Sequence, residues 1–159
     1  MLTDQLCERL LERSDRPLIT VCGGRTGQRD RVLTGRQLHE RALARGAALA
    51  SIRKPDDGPL ALIMPCGVEF VVTLVGALYA GFTITAVAAP RPGVQTLRFN
   101  QIIRDCTPAA ILCSDGLAGK IEAALTSGGI AGLSVVDVGA LEAGEAPLKA
   151  RDQSGGETR

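Results

Sequence analysis

A glycine-rich turn in the first quarter of the chain is the segment most like a phosphate-binding loop. Residues 23–28 are Gly-Gly-Arg-Thr-Gly-Gln, and glycines in such a turn let backbone amides approach an anion. A phosphate-binding loop ends in Gly-Lys-Ser/Thr and opens a helix, whereas this turn lacks that ending and is followed by strand-like residues at Arg31–Thr34. The turn is therefore interpreted as the tip of a β-hairpin.

His39 is the single histidine and the first candidate for acid–base chemistry. It follows Leu38 on a segment of helical spacing and precedes Glu40 and Arg41. A catalytic histidine needs a nucleophile or an acid beside it, and no residue pattern around His39 supplies one. The sequence favours a histidine on the surface of a helix.

Five cysteines could act as nucleophiles, metal ligands or redox partners. Their number is odd and no two form a Cys-x-x-Cys pair, so the spacing favours neither a zinc site nor a redox pair. A nucleophilic cysteine needs a base, and nothing in the sequence brings His39 to a cysteine. Four of the five have apolar neighbours and are expected to behave as small hydrophobic residues in a reducing cytoplasm. The five are Cys7, Cys22, Cys66, Cys106 and Cys113.

The charged residues are the remaining candidates for an active site. Asp56 and Asp57 lie in a polar turn, where aspartate is favoured for local hydrogen bonds rather than for metal binding. Six arginines make the first third of the chain basic, but acidic residues interrupt them, which is typical of a solvated face. We therefore predict no catalytic, cofactor-binding or metal-binding residue in this chain. The six are Arg25, Arg29, Arg31, Arg36, Arg41 and Arg45.

Length and composition limit the class of protein. The 159 residues fit one domain or part of a larger one, and 45% hydrophobic with 22% charged residues is ordinary for a globular protein. A net charge of +1 and 3% aromatic residues do not favour nucleic acid as a partner. No apolar stretch is long enough to span a bilayer, and Asp4 and Glu8 do not fit a signal peptide. A cytoplasmic protein is expected.

The elements predicted in the N-terminal third of the chain are a helix, a hairpin and a second helix, and any site in this region must be built on them. A helix is predicted over residues 3–14, with Leu6, Leu10 and Leu11 on one face, and strands over 17–22 and 31–34. Thr34 and Gln37 have the spacing of a capping box, which predicts a helix from there to residue 51. Its apolar stripe is thin and contains Gly46, so close packing against a neighbouring helix is expected.

Strands and helices alternate through the rest of the chain. Residues 59–64, 82–87, 109–113 and 133–138 are predicted strands, and residues 67–80, 95–105 and 116–126 are predicted helices. The helix over 95–105 is expected to bury Leu97, Ile102 and Ile103. This order predicts an α/β fold with a mostly parallel sheet flanked by helices. Residues 1–140 are expected to form the folded unit, and residues 141–159 a flexible linker.

Five segments resemble the adenylate-forming, or acyl-activating, enzymes in sequence and in order. Within that superfamily the proline loop and the helix after it are most similar to those of fatty acyl-AMP ligases. The resemblance implies that the chain is the first subdomain of the large domain of such an enzyme. The segments are Val32–Leu38 (Val-Leu-Thr-Gly-Arg-Gln-Leu), Leu60–Phe70, Leu74–Gly81 (Leu-Val-Gly-Ala-Leu-Tyr-Ala-Gly), Ala86–Pro92 (Ala-Val-Ala-Ala-Pro-Arg-Pro) and Leu97–Cys113.

The resemblance also implies an activity for a longer parent protein. Such a ligase uses ATP and Mg²⁺ to convert a fatty acid into acyl-AMP, and it transfers the acyl group to an acyl carrier protein. The family's catalytic motifs are downstream ones that these 159 residues lack. The chain is therefore expected to be an inactive N-terminal fragment that binds no cofactor and self-associates through apolar surface meant for its neighbour.

Two alternatives remain open at the level of the sequence. The fragment could come from an acyl-CoA ligase or from the adenylation domain of a peptide synthetase, and the acceptor thiol would distinguish these enzymes. The chain could also be a complete, small, non-catalytic α/β binding protein. A stop codon after Arg159 would favour that alternative, whereas a Thr-Ser-Gly-Ser-Thr-Gly-like continuation would favour a ligase.

Overall fold

The fold is a mixed α/β arrangement with one parallel sheet and one separate hairpin, as the sequence predicts. The computed structural model describes residues 2–12, 14–22, 31–114 and 116–142. The elements are α1 (Leu2–Glu12), β1 (Pro17–Val21), β2 (Arg31–Thr34), α2 (Gly35–Ile52), β3 (Leu60–Ile63), α3 (Val68–Tyr79), β4 (Ile84–Ala86), α4 (Val94–Cys106), β5 (Ala110–Cys113), α5 (Ala118–Ser127), β6 (Ser134–Asp137) and α6 (Val138–Glu142), with a 3₁₀ turn at Pro55–Asp57.

The main sheet has four parallel strands in the order β4-β3-β5-β6. The central strands pair in register, with Leu60 opposite Ala110 and Ile63 opposite Cys113. Every residue of β3 and β5 is buried. Helices on both faces of the sheet exclude water from both sides of a strand, which explains why these strands are continuously apolar in the sequence.

The two faces of the sheet have separate hydrophobic cores because side chains alternate along a strand. On one face the sheet packs against α2 and α3, and on the other against α4 and α5. The first core includes Leu49, Leu60, Leu62, Ala77, Leu112 and Val136, and the second includes Ala61, Ile63, Phe99, Ile103, Ile111 and Ile121.

The buried face of α4 differs from the prediction. Leu97 is 68% exposed, whereas Phe99 and Ile103 are 3% and 2% exposed and reach the second core. Phe99 and Ile103 are four residues apart and share one side of the helix. Leu97 precedes Phe99 by two residues, which rotates it by about 200° to the solvent side.

A third core joins the N-terminal elements to the outer side of α2 and α3. Strands β1 and β2 form an antiparallel hairpin, as predicted, with Ile19 opposite Leu33. Leu10 of α1 and Leu33 are both buried there, whereas Leu11 is 46% exposed, so its predicted place on the buried face is wrong. The predicted turn at residues 23–30 lies outside the described residues.

Helix α3 is apolar almost all round because it is covered on two opposite sides. Ala77 faces the core of the sheet, whereas Val72 and Val75 face the core beneath the hairpin. The helix is followed by Gly81 at a φ of 82°, where a residue without a side chain turns the chain toward β4. The buried helix predicted at residues 67–80 is thereby confirmed.

The C-terminal end of the described chain contains a short helix that the sequence analysis misses. β6 ends at Asp137, whose carboxylate accepts a hydrogen bond from the Gly139 amide at 2.9 Å, and Val138 begins α6. The strand predicted to end at Val138 is therefore one residue too long. Residues 143–159 lie outside the described residues, so the linker predicted at 141–159 and the boundary at residue 140 stay predictions.

The close approach of α2 and α3 gives a test of the fold. A Cβ added to Gly46 would lie 2.6 Å from the Gly76 carbonyl oxygen, which belongs to the backbone and cannot rotate away. We expect Gly46→Ala to lower the free energy of unfolding by about 1–3 kcal/mol in urea denaturation. Gly119→Ala in α5 is the matched control, since nothing lies within 4 Å of its added Cβ. Equal losses in both variants would contradict the packing argument.

Candidate functional site

The topology of the sheet marks one place where α/β proteins bind ligands. The chain leaves β3 toward β4 on one side and returns to β5 on the other side of β3, so a switch point lies between β3 and β5. Ligands commonly bind outside the carboxyl ends of strands at such a point. Among the described residues, the loops there offer an exposed thiol at Cys66 and a buried hydroxyl at Ser114. These two groups do not form an acid–base set.

An open cleft of about 360 Å³ lies between β2, α2 and the start of α3. Its charged groups come from Glu40 and Arg41 of α2 and from Arg31 of β2. Among the described residues, its lining contains no serine, cysteine or histidine that could act as a nucleophile or imidazole base. The full lining is Arg31, Val32, Leu33, Gln37, Glu40, Arg41 and Val68.

A charge network that includes one buried arginine lies next to this cleft, between α2 and α3. Glu69 accepts hydrogen bonds from Arg41 at 2.5 Å and from Arg45 at 3.0 Å. Arg45 also donates to the Thr73 hydroxyl at 2.6 Å. The side chain of Arg45 is 1% exposed, so its predicted place on a solvated face is wrong. The network ties the two helices together through their polar groups.

Arg45 carries a sequence signal that the analysis of charge alone missed. It lies three residues after Ala42 and four before Leu49, both of which are buried on α2. Residues at these spacings share one face of a helix. An arginine on an apolar stripe therefore predicts a buried charge with a partner, although the stripe does not reveal Glu69 as that partner.

The electrostatic balance at Glu69 favours its ionised form. Burial acts to raise the pKa of this carboxyl, but the hydrogen bonds and positive charges of Arg41 and then of Arg45 outweigh that effect. The pKa of Glu69 consequently lies below its ordinary value of 4.5. The carboxylate stays charged at neutral pH, as the two arginines require.

A second polar cluster brings together three residues that are far apart in the sequence. Nδ1 of His39 lies 3.2 Å from the Tyr79 hydroxyl and 3.7 Å from Sγ of Cys7. The His39 and Tyr79 rings meet edge to face, with their centroids 5.7 Å apart. His39 and Cys7 are both half-buried. His39 is thus a partly covered surface histidine, because α1 and α3 pack over this side of α2 and bring a thiol and a phenol to the ring.

The surroundings of Tyr79 affect its ionisation. Burial raises the pKa of Tyr79 above its ordinary value of 10.0, and the charge and hydrogen bonding of Cys7 raise it further. A second negative charge next to a thiolate is unfavourable in a partly buried site. The thiol and the phenol are therefore electrostatically coupled.

The other cysteines have varied environments, not the mostly buried ones predicted from their neighbours. Only Cys113 is buried, and burial, followed by the charges of Asp137 and Glu122, raises its pKa to about 11. Cys106 is half-buried and donates to the Ile103 carbonyl, whereas Cys22 and Cys66 are exposed. Apolar neighbours in the sequence suggest that these side chains are buried. Near the ends of short strands and helices, however, such side chains can be exposed.

The remaining predicted candidates have structural roles or lie outside the described residues. The Asp57 carboxylate accepts a hydrogen bond from the Lys54 amide at 2.9 Å and so caps the 3₁₀ turn, as expected for a turn aspartate. In residues 2–12, 14–22, 31–114 and 116–142, no three His, Cys, Asp or Glu side chains form a group that could hold a metal ion. The turn at residues 23–28 cannot be placed, since it is not described.

The length and hydropathy of the helices within the described ranges decide whether any of them could span a membrane. None of them is both long enough and apolar enough to cross a bilayer.

Comparison with known proteins identifies a family for most of the chain. The family model described as AMP-binding enzyme matches residues 8–156. A long-chain-fatty-acid–AMP ligase, FadD26 of Mycobacterium marinum, is 32% identical over 111 residues, which are 69% of this chain and 19% of the relative. The chain thus spans about a fifth of the length of the curated relative it matches.

Solved structures support the fold at lower sequence identity. The fatty acyl-adenylate ligases studied from Escherichia coli and Legionella pneumophila match with a TM-score of 0.66 at 24% identity, over 92% of this chain and 26% of theirs. The anthranilate CoA ligase AuaEII, solved with anthranoyl-AMP, matches with a TM-score of 0.65 at 19% identity, over 86% of this chain and 25% of its own. The parallel sheet with its hairpin is therefore the fold of adenylate-forming enzymes.

The Glu69 network generates a prediction about stability and pH. Glu69→Gln removes a negative charge that lies 3.0 Å from the guanidinium of the buried Arg45, so we expect the free energy of unfolding at pH 7 to fall by about 1–3 kcal/mol. A carboxyl whose pKa is lower in the folded state than in the unfolded state stabilises the folded protein fully at pH values above 4.5. This stabilisation is lost as the pH falls through the pKa of the folded state.

Urea denaturation at several pH values measures this effect. The difference between the wild type and Glu69→Gln should shrink as the pH falls below 4.5. Glu12→Gln is the control, because its pair with Arg9 is exposed and should contribute little. A constant difference at all pH values would show that the charge of Glu69 is unimportant.

The coupling of Tyr79 to Cys7 can be measured directly. Tyr79 is the single tyrosine and there is no tryptophan, so the ultraviolet absorbance of tyrosinate reports this residue alone. We expect Cys7→Ser to lower the pKa of Tyr79 while leaving it above 10.0, since burial is the larger cause of its increase. Cys106→Ser, on the other side of the sheet, should leave the titration unchanged. An unchanged titration in Cys7→Ser would show that the two groups are not coupled.

Proposed function

Because this chain belongs to the AMP-binding enzyme family, we propose that the whole protein is an ATP-dependent ligase that activates a fatty acid as acyl-AMP. A carboxylate oxygen of the acid attacks the α-phosphorus of ATP. The bond between that phosphorus and the bridging oxygen breaks, and pyrophosphate leaves. The product is a mixed anhydride whose acyl carbon is activated for attack by a thiol.

The family match over residues 8–156 carries this proposal. The substrate class comes from the relative named as a long-chain-fatty-acid–AMP ligase, which is similar over 69% of this chain. A complete, non-catalytic α/β protein is the competing interpretation from another class. It is disfavoured because five scaffold segments occur in the order of the family, and because the relative is an enzyme.

Within this ligase we propose that residues 1–159 form a scaffold. Their described part contains two buried helix–sheet faces and a tightly packed helix pair, but no acid–base set at the switch point of the sheet. The family resemblance implies Mg²⁺ as the partner of ATP, and the described residues provide no cluster that fits a metal. We therefore derive no step through a metal and place the chemistry on residues outside this chain.

The proposal also includes the molecule that accepts the acyl group. We favour the phosphopantetheine thiol of an acyl carrier protein, because the relative is named as an AMP ligase, not as a CoA ligase. Transfer to coenzyme A is the second candidate, since a CoA ligase has the same fold. A cytoplasmic setting agrees with five cysteines that are all free.

The proposal predicts the outcome of a direct assay. The full-length protein, with a long-chain fatty acid, ATP and Mg²⁺, should release pyrophosphate and form acyl-AMP, detected by mass spectrometry. Addition of holo acyl carrier protein should consume the acyl-AMP, whereas coenzyme A should not. Residues 1–159 alone should neither bind ATP in calorimetry nor release pyrophosphate.

Each arm of the assay tests a different part of the proposal. Absence of acyl-AMP from the full-length protein with all chain lengths would refute the ligase function. Transfer to coenzyme A alone would refute the carrier-protein acceptor but keep the ligase. Turnover of ATP by residues 1–159 would refute the scaffold role.

A further inference from the structure

The cluster of Cys7, His39 and Tyr79 has no role in the proposed ligase reaction. Each residue comes from a different helix, and α2 supplies the imidazole at the centre. The cluster lies on the side of α2 and α3 that faces α1, away from the parallel sheet and its switch point. Whatever chemistry it has is therefore separate from acyl activation.

The arrangement matches the general form of an activated nucleophile. Such a site pairs a nucleophile with a base within hydrogen-bond reach, and a third group orients the base. Here Sγ of Cys7 is the nucleophile and Nδ1 of His39 lies 3.7 Å away. The Tyr79 hydroxyl lies 3.2 Å from the same nitrogen, so it does not orient the ring from its far side, but its oxygen can accept a hydrogen bond from Nδ1 once that nitrogen is protonated. When Nδ1 carries no proton it can accept the thiol proton, and when it carries one it stabilises the thiolate.

We propose that Cys7 is a site of thiol–disulfide exchange with small disulfides, and that His39 is its general base. The Cys7 thiol proton passes to Nδ1 of His39, and Sγ attacks one sulfur of the disulfide. A new sulfur–sulfur bond forms as the old one breaks, and the departing thiolate takes the proton from the imidazolium. The disulfide is the only oxidant that the step requires, and a second thiol reverses it.

A small disulfide fits this position better than a protein thiol does. Cys7 is half-buried, and Leu10, one turn further along α1, is 4% exposed in the core beneath the hairpin. Because its side chain is half-buried, the sulfur is more accessible to a small molecule than to a disulfide within a folded protein. The occupant is therefore a low-molecular-weight disulfide.

The same chain supplies matched comparisons for the reactivity of Cys7. Cys106 is also half-buried, but its thiol donates to the Ile103 carbonyl and burial raises its pKa above 9.0. No described imidazole contacts it, since His39 is the single histidine. Cys66 is exposed and tests accessibility without a base. Cys7 and Cys106 thus share partial burial but differ in their hydrogen-bond partners, an imidazole for Cys7 and a backbone carbonyl for Cys106.

The experiment measures exchange at each cysteine with a neutral probe, 4,4′-dithiodipyridine, at pH 7. The full chain is treated for short times, quenched with acid, and the mixed disulfides are counted by peptide mass spectrometry. We expect Cys7 to react at least about tenfold faster than Cys106. His39→Asn should reduce the rate at Cys7 to that of Cys106, while the rate at Cys66 stays the same.

A second variant separates the base from its packing. Tyr79→Phe removes the hydroxyl but keeps the ring and the imidazole, so Cys7 should remain clearly faster than Cys106. A wild-type rate at Cys7 no greater than that at Cys106 would overturn the proposal. So would an unchanged rate in His39→Asn, or an equal loss in His39→Asn and Tyr79→Phe, which would indicate disturbed packing, not a lost base.

Discussion

The contact between α2 and α3 is the constraint on which the rest of the structure depends. Gly46 and Gly76 let the two backbones approach so closely that a Cβ at either position would lie under 3 Å from a carbonyl oxygen of the other helix. This pair forms the layer between the parallel sheet and the hairpin. The polar contacts between α2 and α3 depend on that approach, and so does the coverage of the apolar helix α3 on two sides.

The close approach also makes a buried arginine possible. Arg45 is one residue from Gly46, and its guanidinium reaches both Glu69 and Thr73 across the helix pair. A buried charge is costly unless it is paired and hydrogen-bonded, so this network is sensitive to the loss of any member. It also fixes how one helix is placed along the other, because apolar contacts alone would tolerate small shifts. The network of Arg41, Arg45, Glu69 and Thr73 therefore determines the relative position of the two helices and also stabilises their contact.

The architecture fits the scaffold role that we propose for this segment of an AMP-binding enzyme. The central strands β3 and β5 are fully buried, and the described residues of the loops at the switch point between them offer no acid–base set. A tightly packed segment of this kind can hold the neighbouring parts of a protein in fixed positions because it is rigid. In contrast, the Cys7–His39–Tyr79 cluster lies at the junction of α1 with the helix pair, where polar groups remain half-exposed.

The sequence alone determined the elements and their order from α1 to β6, because local patterns depend only on neighbouring residues. The Thr34–Gln37 capping box, the apolar runs of β3 and β5, and the small residue at Gly46 all predict what the structure contains. Tertiary structure decided which side chains meet. Thirty-two residues separate Cys7 from His39, and 24 separate Arg45 from Glu69. Helical periodicity places each residue on a face, but only the packing of that face against another helix selects its partner, and this depends on the whole chain.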